Sequence, residues 1–153
     1  MSSTPLISVC IVTYNHQDYI ADCLSSVLAQ YGNFCLEIVL GDDTSTDNTV
    51  GIVQEIISTY KGDAIIHLFA HEKNLGPSQN YQFLIAQTRG DFIAHLDGDD
   101  FWLPGKLQKQ LQFLLSNPDC PACYSNALVI KDDKSHWGVF NLVQPNIITL
   151  KEL

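Results

Sequence analysis

Leu6-Ile7-Ser8-Val9-Cys10-Ile11-Val12 decides the fold. The run is rich in β-branched residues and too short for a stable helix, so it reads as a strand, and Ile20, Cys23, Leu24, Val27 and Leu28 then recur at helical spacing. The same rhythm returns down the chain. Residues 36–40 make a second strand, residues 41–49 a polar loop, and Ile52, Val53, Ile56, Ile57 and Tyr60 one helical face with Asn48 or Thr49 as its cap. Residues 65–69 give a third strand. After the turn-forming Asn74-Leu75-Gly76-Pro77, a helix opens near Ser78 with Tyr81, Leu84, Ile85 and Thr88 on one side. Residues 92–96 form the fourth strand, ended by Asp97-Gly98-Asp99-Asp100. Pro104 suits a first helical turn, and Leu107, Leu111, Leu114 and Leu115 keep core spacing until Asn117-Pro118 stops the helix. Residues 123–130 read as a further strand, 131–134 as a turn and 137–143 as a returning strand, while the last ten residues favour no element.

Successive strand-helix units with near-continuous apolar strands imply an α/β fold: a mostly parallel sheet, helices on both faces, right-handed crossovers. The 153 residues, 46% hydrophobic and 16% charged, suit one domain and fit neither disorder nor collagen. At this length roughly 68–70% of the unfolded surface can be buried, so the core needs no disulfide or structural metal. Eight Lys and Arg against seventeen Asp and Glu leave a net charge of −9, and the cations are not clustered. Such a chain is repelled by nucleic acid and by an anionic membrane surface. A phosphate ligand then requires a bound cation, backbone amides or helix N-termini. No apolar run approaches the ~20 residues that span a bilayer and nothing reads as a signal peptide, so the chain reads as cytoplasmic. The five cysteines lie mostly in apolar segments and read as reduced thiols. Cys120-Pro121-Ala122-Cys123 has the spacing of a redox or zinc half-motif, but no second pair accompanies it and it follows a helix end.

In parallel sheets ligands bind beyond the carboxyl ends of the strands. Those ends carry Thr13-Tyr14-Asn15-His16, Gly41-Asp42-Asp43-Thr44-Ser45-Thr46-Asp47, His71-Glu72-Lys73-Asn74 and Asp97-Gly98-Asp99-Asp100. Carboxylates crowd one edge, which is unfavourable without a counter-cation or raised pKa values. Hard oxygen ligands suit magnesium, manganese or calcium, and the first two complete their shells with waters and substrate phosphates. Read alone, residues 42–49 are equally a solvated loop that caps a helix. Tyr14 alone reads as a packing residue that can also stack on a planar base, and His71 and His95 read as packed or solvated. There is no Gly-x-Gly-x-x-Gly, no P-loop around Gly105-Lys106 and no Gly-x-Ser-x-Gly elbow.

In order and spacing, four stretches resemble the family 2 glycosyltransferases, inverting nucleotide-sugar enzymes of the GT-A fold. They are Ser8-Val9-Cys10-Ile11-Val12-Thr13-Tyr14-Asn15, Glu37-Ile38-Val39-Leu40-Gly41-Asp42-Asp43-Thr44-Ser45-Thr46-Asp47-Asn48-Thr49, Asn74-Leu75-Gly76, and Gly90-Asp91-Phe92-Ile93-Ala94-His95-Leu96-Asp97-Gly98-Asp99-Asp100. The resemblance covers about the first 115 residues. It implies a Rossmann-like three-layer GT-A nucleotide-sugar-binding fold, C-terminally truncated, as a single domain over residues 1–153. It further implies that Thr13 and Tyr14 line the base pocket, with Tyr14 stacking, that Asn15 belongs to the same donor site, and that Asp43 accepts a hydrogen bond from the base, usually uracil. Asn74 and Asn80 would shape the donor pocket. Asp97 and Asp99 would be the acids of the Asp-x-Asp motif, Asp99 contacting Mn2+ or Mg2+ and Asp97 approaching the ribose or a metal-bound water.

The implied partners are a nucleotide-sugar donor and a glycan or lipid-linked acceptor, with peripheral association at the cytosolic face of the membrane. In the family the general base and most of the acceptor site lie on a segment well after the Asp-x-Asp motif, and this sequence runs about fifty residues past Asp99, so no base is assigned. Asp132 and Asp133 read as a solvated turn. Val12 replaces a common proline, and Gln79 stands where a basic residue often precedes Asn80. The alternative reading is a nucleotide-sugar-binding module without turnover. A phosphoacceptor receiver domain ranks a distant third, because it wants acids after the first strand, where Thr13-Tyr14-Asn15 stands.

Overall fold

The structure, a computed structural model, describes residues 4–131 and 135–140. The N-terminal apolar run is β1 (Leu6–Thr13), hydrogen-bonded on both sides within a four-stranded parallel sheet. Its neighbours are β2 (Cys35–Asp42) and β4 (Phe92–Asp97), and β3 (Ile65–Ala70) lies beyond β2, in the order β3-β2-β1-β4. Between them run α1 (Ile20–Leu28), α2 (Thr49–Thr59) and α3 (Pro77–Gln87), with α4 (Lys106–Ser116) following β4. Backbone contacts divide the chain into two compact units, the first ending at Gln112 and the second starting at Phe113.

Side chains alternate across a strand, so β1 serves two cores at once. Ile7, Val9 and Ile11 join Ile38 and Leu40 of β2 and meet Ile20, Leu24 and Val27 of α1, Val53 of α2 and Leu107 and Leu111 of α4. Cys10 and Val12 join Val39 and pack with Leu84 of α3. Helices therefore cover both faces, as a parallel sheet requires. Each fully buried aliphatic side chain contributes about 1.5–3 kcal/mol of transfer free energy. Burial also controls the thiols. It is the main cause that pushes Cys10 up to about 11 and Cys23 up to about 12, so both stay protonated.

The α3 face differs from its apolar spacing. Leu84 is buried, but its companion is the polar Asn80, while Ile85 is 38% exposed. The reason is a close approach: a Cβ on Gly41 would stand 2.2 Å from Asn80 Oδ1, and the missing side chain lets Asn80 Nδ2 donate to the Gly41 carbonyl at 2.8 Å. In α4, Leu107 and Leu111 are buried and Leu115 is exposed. Asn48 occupies the cap position of α2 without a side-chain bond, and Asp47 accepts the Thr49 N–H at 2.9 Å instead.

In the second unit, β5 (Leu128–Ile130) pairs antiparallel with β6 (His136–Val139). The strand expected over 123–130 is only three residues long, because pairing extends no further than a four-residue partner allows. Asp132, Asp133 and residues 141–153 lie outside the described residues.

Two loops after strands contain left-handed residues that are not glycine, Asn15 at φ 56° and Thr44 at φ 71°. Asparagine tolerates this conformation by local hydrogen bonding, and Asn15 Oδ1 accepts the Thr46 N–H at 2.8 Å. Thr44 is β-branched, and its Oγ1 is buried without a partner. Thr44→Gly removes both burdens and is expected to raise stability by about 1 kcal/mol, read as a higher urea midpoint at unchanged m-value. In a native-state alkylation time course, Cys35 is expected to react while Cys10 and Cys23 react only after unfolding; early labelling of Cys23 contradicts its burial.

Candidate functional site

Parallel register levels the carboxyl ends of the strands. Thr13 pairs with Asp42 and Val12 with Asp97, so loops from β1, β2 and β4 leave the sheet side by side. They enclose, with the start of α3, a cleft of about 510 Å³, within the usual range for ligand pockets. Its lining includes Thr13, Tyr14, Asp43, Asn74, Asn80, Asp97 and Asp99, seven of the eight residues singled out from sequence, together with Val12, His16 and Pro77.

Asn15 does not line the cleft. Its N–H donates to Ser45 Oγ at 2.9 Å and its side chain accepts from Thr46, so it latches the loop after β1 to the loop after β2. Asp42 is buried and accepts the Ser45 N–H at 2.9 Å and the Ser45 hydroxyl, which closes the β2 loop on itself.

Asp43 is 4% exposed and holds three segments together. Its N–H donates to the Thr13 carbonyl at 2.9 Å, and its carboxylate accepts the N–H groups of Leu75 at 2.6 Å and Gly76 at 2.8 Å. Gly76, at φ 79°, is the N-cap of α3, so this buried charge sits where a helix N-terminus favours an anion. Each carboxylate oxygen still has a lone pair for a further donor. Asn74 Nδ2 donates to the Asp43 carbonyl at 2.9 Å, and Asn80 Oδ1 lies 3.0 Å from His71 Nε2. Both asparagines thus frame the cleft by fixing its walls to one another.

The acid loop is built differently. Gly98 donates its N–H to the Val12 carbonyl at 2.8 Å and passes so near β1 that a Cβ there would be 2.8 Å from Thr13 Oγ1. That contact keeps Asp97 and Asp99 on either side of a glycine against the strand end. Asp97 accepts from His95 Nε2 at 3.1 Å. This hydrogen bond chiefly holds its carboxyl below the usual range despite partial burial, and the nearby His95 and His16 charges add to it. Asp100 goes the other way, raised first by burial and then by the charges of Asp99 and Asp97. His95 also stands edge-on to Tyr81, with centroids 4.4 Å apart, and His71 stands edge-on to Phe83.

Among the described residues no group of three or more His, Cys, Asp and Glu side chains is arranged to hold a metal, so a closed cage is not built. The donor set fits the other kind of site: the side chains of Asp97 and Asp99 are 53% and 52% exposed at the cleft and offer hard oxygens to a cation that shares a phosphate ligand. Thr13 Oγ1 is buried without a partner. His16 had only one sequence signal, its place directly after Thr13-Tyr14-Asn15; its role in the lining depends on the left-handed turn at Asn15.

The chain is similar to larger proteins. Over 149 residues it is 34% identical to the Escherichia coli UDP-Glc:alpha-D-GlcNAc-diphosphoundecaprenol beta-1,3-glucosyltransferase WfgD, covering 97% of this chain and 54% of that protein. The putative teichuronic acid biosynthesis glycosyltransferase TuaG of Bacillus subtilis is 39% identical over 111 residues, 72% of this chain and 42% of that one. The crystal structure of residues 1–349 of Staphylococcus aureus TarS in complex with UDP superposes with a TM-score of 0.66 at 28% identity, covering 73% of this chain and 32% of that fragment. The chain thus spans about half or less of the length of these relatives. The sheet order, the covering helices and the likeness to TarS make the fold a mixed α/β fold of the GT-A type. The family model "Glycosyl transferase family 2" matches residues 8–151, and with relatives above 30% identity over most of its length the chain belongs to that family.

Proposed function

We propose that this chain forms the donor-binding part of an inverting glycosyltransferase. It would take a sugar from a nucleotide-diphosphate donor, a UDP-sugar, for a hydroxyl of a glycan or lipid-linked acceptor. The observation that carries the reading is the cleft itself, where Thr13, Tyr14, Asp43, Asn74, Asn80, Asp97 and Asp99 converge from separate strand ends. The names of similar proteins support it: TarS has been crystallised with UDP and with UDP-GlcNAc, and WfgD is named for a UDP-Glc donor and a diphosphoundecaprenol-linked acceptor. A lipid-linked acceptor would bring the protein to the cytosolic face of a membrane as a peripheral partner. Among the described residues no helix is long and apolar enough to cross one.

Each wall has a separate task in this reading. Tyr14, 46% exposed at the cleft mouth, offers its ring face to the base. Asp43 accepts the imide N–H of uracil on a lone pair left by Leu75 and Gly76, and its fixed position selects a base with a donor there. Thr13 lines the base pocket beside Tyr14. Asp97, kept ionised by His95, and Asp99 lie where negative charge must be offset as the anomeric carbon separates from the diphosphate. Mn2+ or Mg2+ held by Asp99, with Asp97 beside it, would supply Lewis-acid stabilisation of that leaving group.

Calorimetric titration with UDP, with and without manganese, tests the site. The unsubstituted chain is expected to bind more tightly with metal, Asp99→Ala to lose the metal-dependent gain, and Tyr14→Ala but not Tyr14→Phe to lose about 1–3 kcal/mol of stacking. A metal-dependent gain undiminished in Asp99→Ala would refute the acid assignment.

Binding without turnover is the second reading: among the described residues the carboxylates that line the cleft are Asp43, Asp97 and Asp99, and each has a donor-side task in the first reading. Release of UDP from a UDP-sugar separates the two. Metal-dependent donor binding with UDP release no faster than in buffer assigns the module, and faster release assigns the enzyme.

A further inference from the structure

His16 is a polar lining residue that neither the quoted family stretches nor the donor-binding reading uses, and its backbone is held on both sides. Its backbone cannot drift: the N–H donates to Thr49 Oγ1 at 2.9 Å, and the carbonyl accepts from Tyr19 at 3.0 Å and Ile20 at 2.8 Å at the start of α1. The ring therefore projects from a rigid corner between the β1 loop and α1. Its Nε2 stands 3.9 Å from Asp99 Oδ2, longer than a hydrogen bond and a separation that a small side-chain rotation closes.

The opposite ring nitrogen is buried. Nδ1 has no partner, and neither has Thr13 Oγ1, on a residue only 2% exposed. Both atoms lie 2.8 Å from one point, the place where a Cβ on Gly98 would stand. Orphaned polar atoms are costly, and these two, which flank the same point, are complementary in type, since the hydroxyl donates and a bare ring nitrogen accepts. A Thr13 hydroxyl bonded to Nδ1 leaves the ring proton on Nε2, the side that faces Asp99.

We propose that His16 is a positioning residue: its Nε2–H holds one oxygen of Asp99, Thr13 sets the ring by its hydroxyl, and the second Asp99 oxygen is thereby aimed into the cleft. A carboxylate that binds a divalent cation works best when its other oxygen is fixed by a hydrogen bond, and outer partners of this kind change metal affinity by about 10–100-fold. Gly98 is part of the device, because any side chain there would drive the ring off its place. The inference rests on the nucleotide-diphosphate reading of the cleft.

The test follows free manganese by its electron paramagnetic resonance signal in the presence of UDP, with uridine binding measured separately by calorimetry. Three chains are compared: unsubstituted, His16→Ala and His16→Gln, whose amide can donate from about the position of Nε2. We expect His16→Ala to weaken manganese binding about 10–100-fold, His16→Gln to recover most of it, and all three to bind uridine alike. Manganese binding unchanged in His16→Ala overturns the role of His16 while leaving the donor site standing. Parallel loss of uridine and manganese in both variants also overturns it, by making His16 a structural wedge. Failure of the unsubstituted chain to bind either UDP or manganese overturns the donor-site reading and this inference with it.

Discussion

Parallel hydrogen bonding of β1 to β2 on one side and β4 on the other is the constraint from which the site follows. The register sets Thr13 opposite Asp42 and Val12 opposite Asp97, so chemistry from three distant parts of the chain arrives at one edge without any long loop having to reach for it. That register is held by burial. From Ile7 onward every β1 residue is buried, and alternate side chains enter different cores, so a slip of one residue would exchange the contents of both faces.

Concentrating carboxylates at that edge costs free energy, and the surrounding structure offsets it locally. Asp43 is met by two backbone N–H groups at the start of α3, Asp42 by Ser45, Asp47 by Thr49 and Gln17, and Asp97 by His95. The acid pair of the motif thus differs from the others. Asp42 and Asp43 are buried and satisfied by the fold, whereas Asp97 and Asp99 keep about half of their side-chain surface at the cleft. An arrangement that spends its backbone donors on the first pair and leaves the second open suits a ligand bringing its own cation.

Periodicity made much of the fold legible. The four strands, the helices between them and the stop at Asn117-Pro118 stand where apolar spacing placed them, because a strand covered on both faces must be apolar throughout and a covering helix must be apolar on one side. It misjudged elements whose burial depends on a neighbour. Ile85 looked like a core residue, yet Asn80 takes the inner position because Gly41 leaves room for it; the strand expected from Cys123 shortened because its partner is short. Asn48 stands at the N-cap of α2 as its type suggests, while the geometry of the loop brings the Asp47 carboxylate to the first free amide.

Sequence by itself determined that an α/β parallel sheet forms and which polar residues follow each strand, since strand periodicity and the order of elements are local properties of the chain. Only the tertiary structure decided what those residues do. That Asn15 ties two loops instead of facing the cleft, that Asp43 holds the turn before α3 through Gly76, 33 residues downstream, and that His16 stands near both Thr13 and Asp99 all depend on register and on two left-handed turns. Such contacts join segments far apart in the chain, and no local pattern records a distance that the sheet creates.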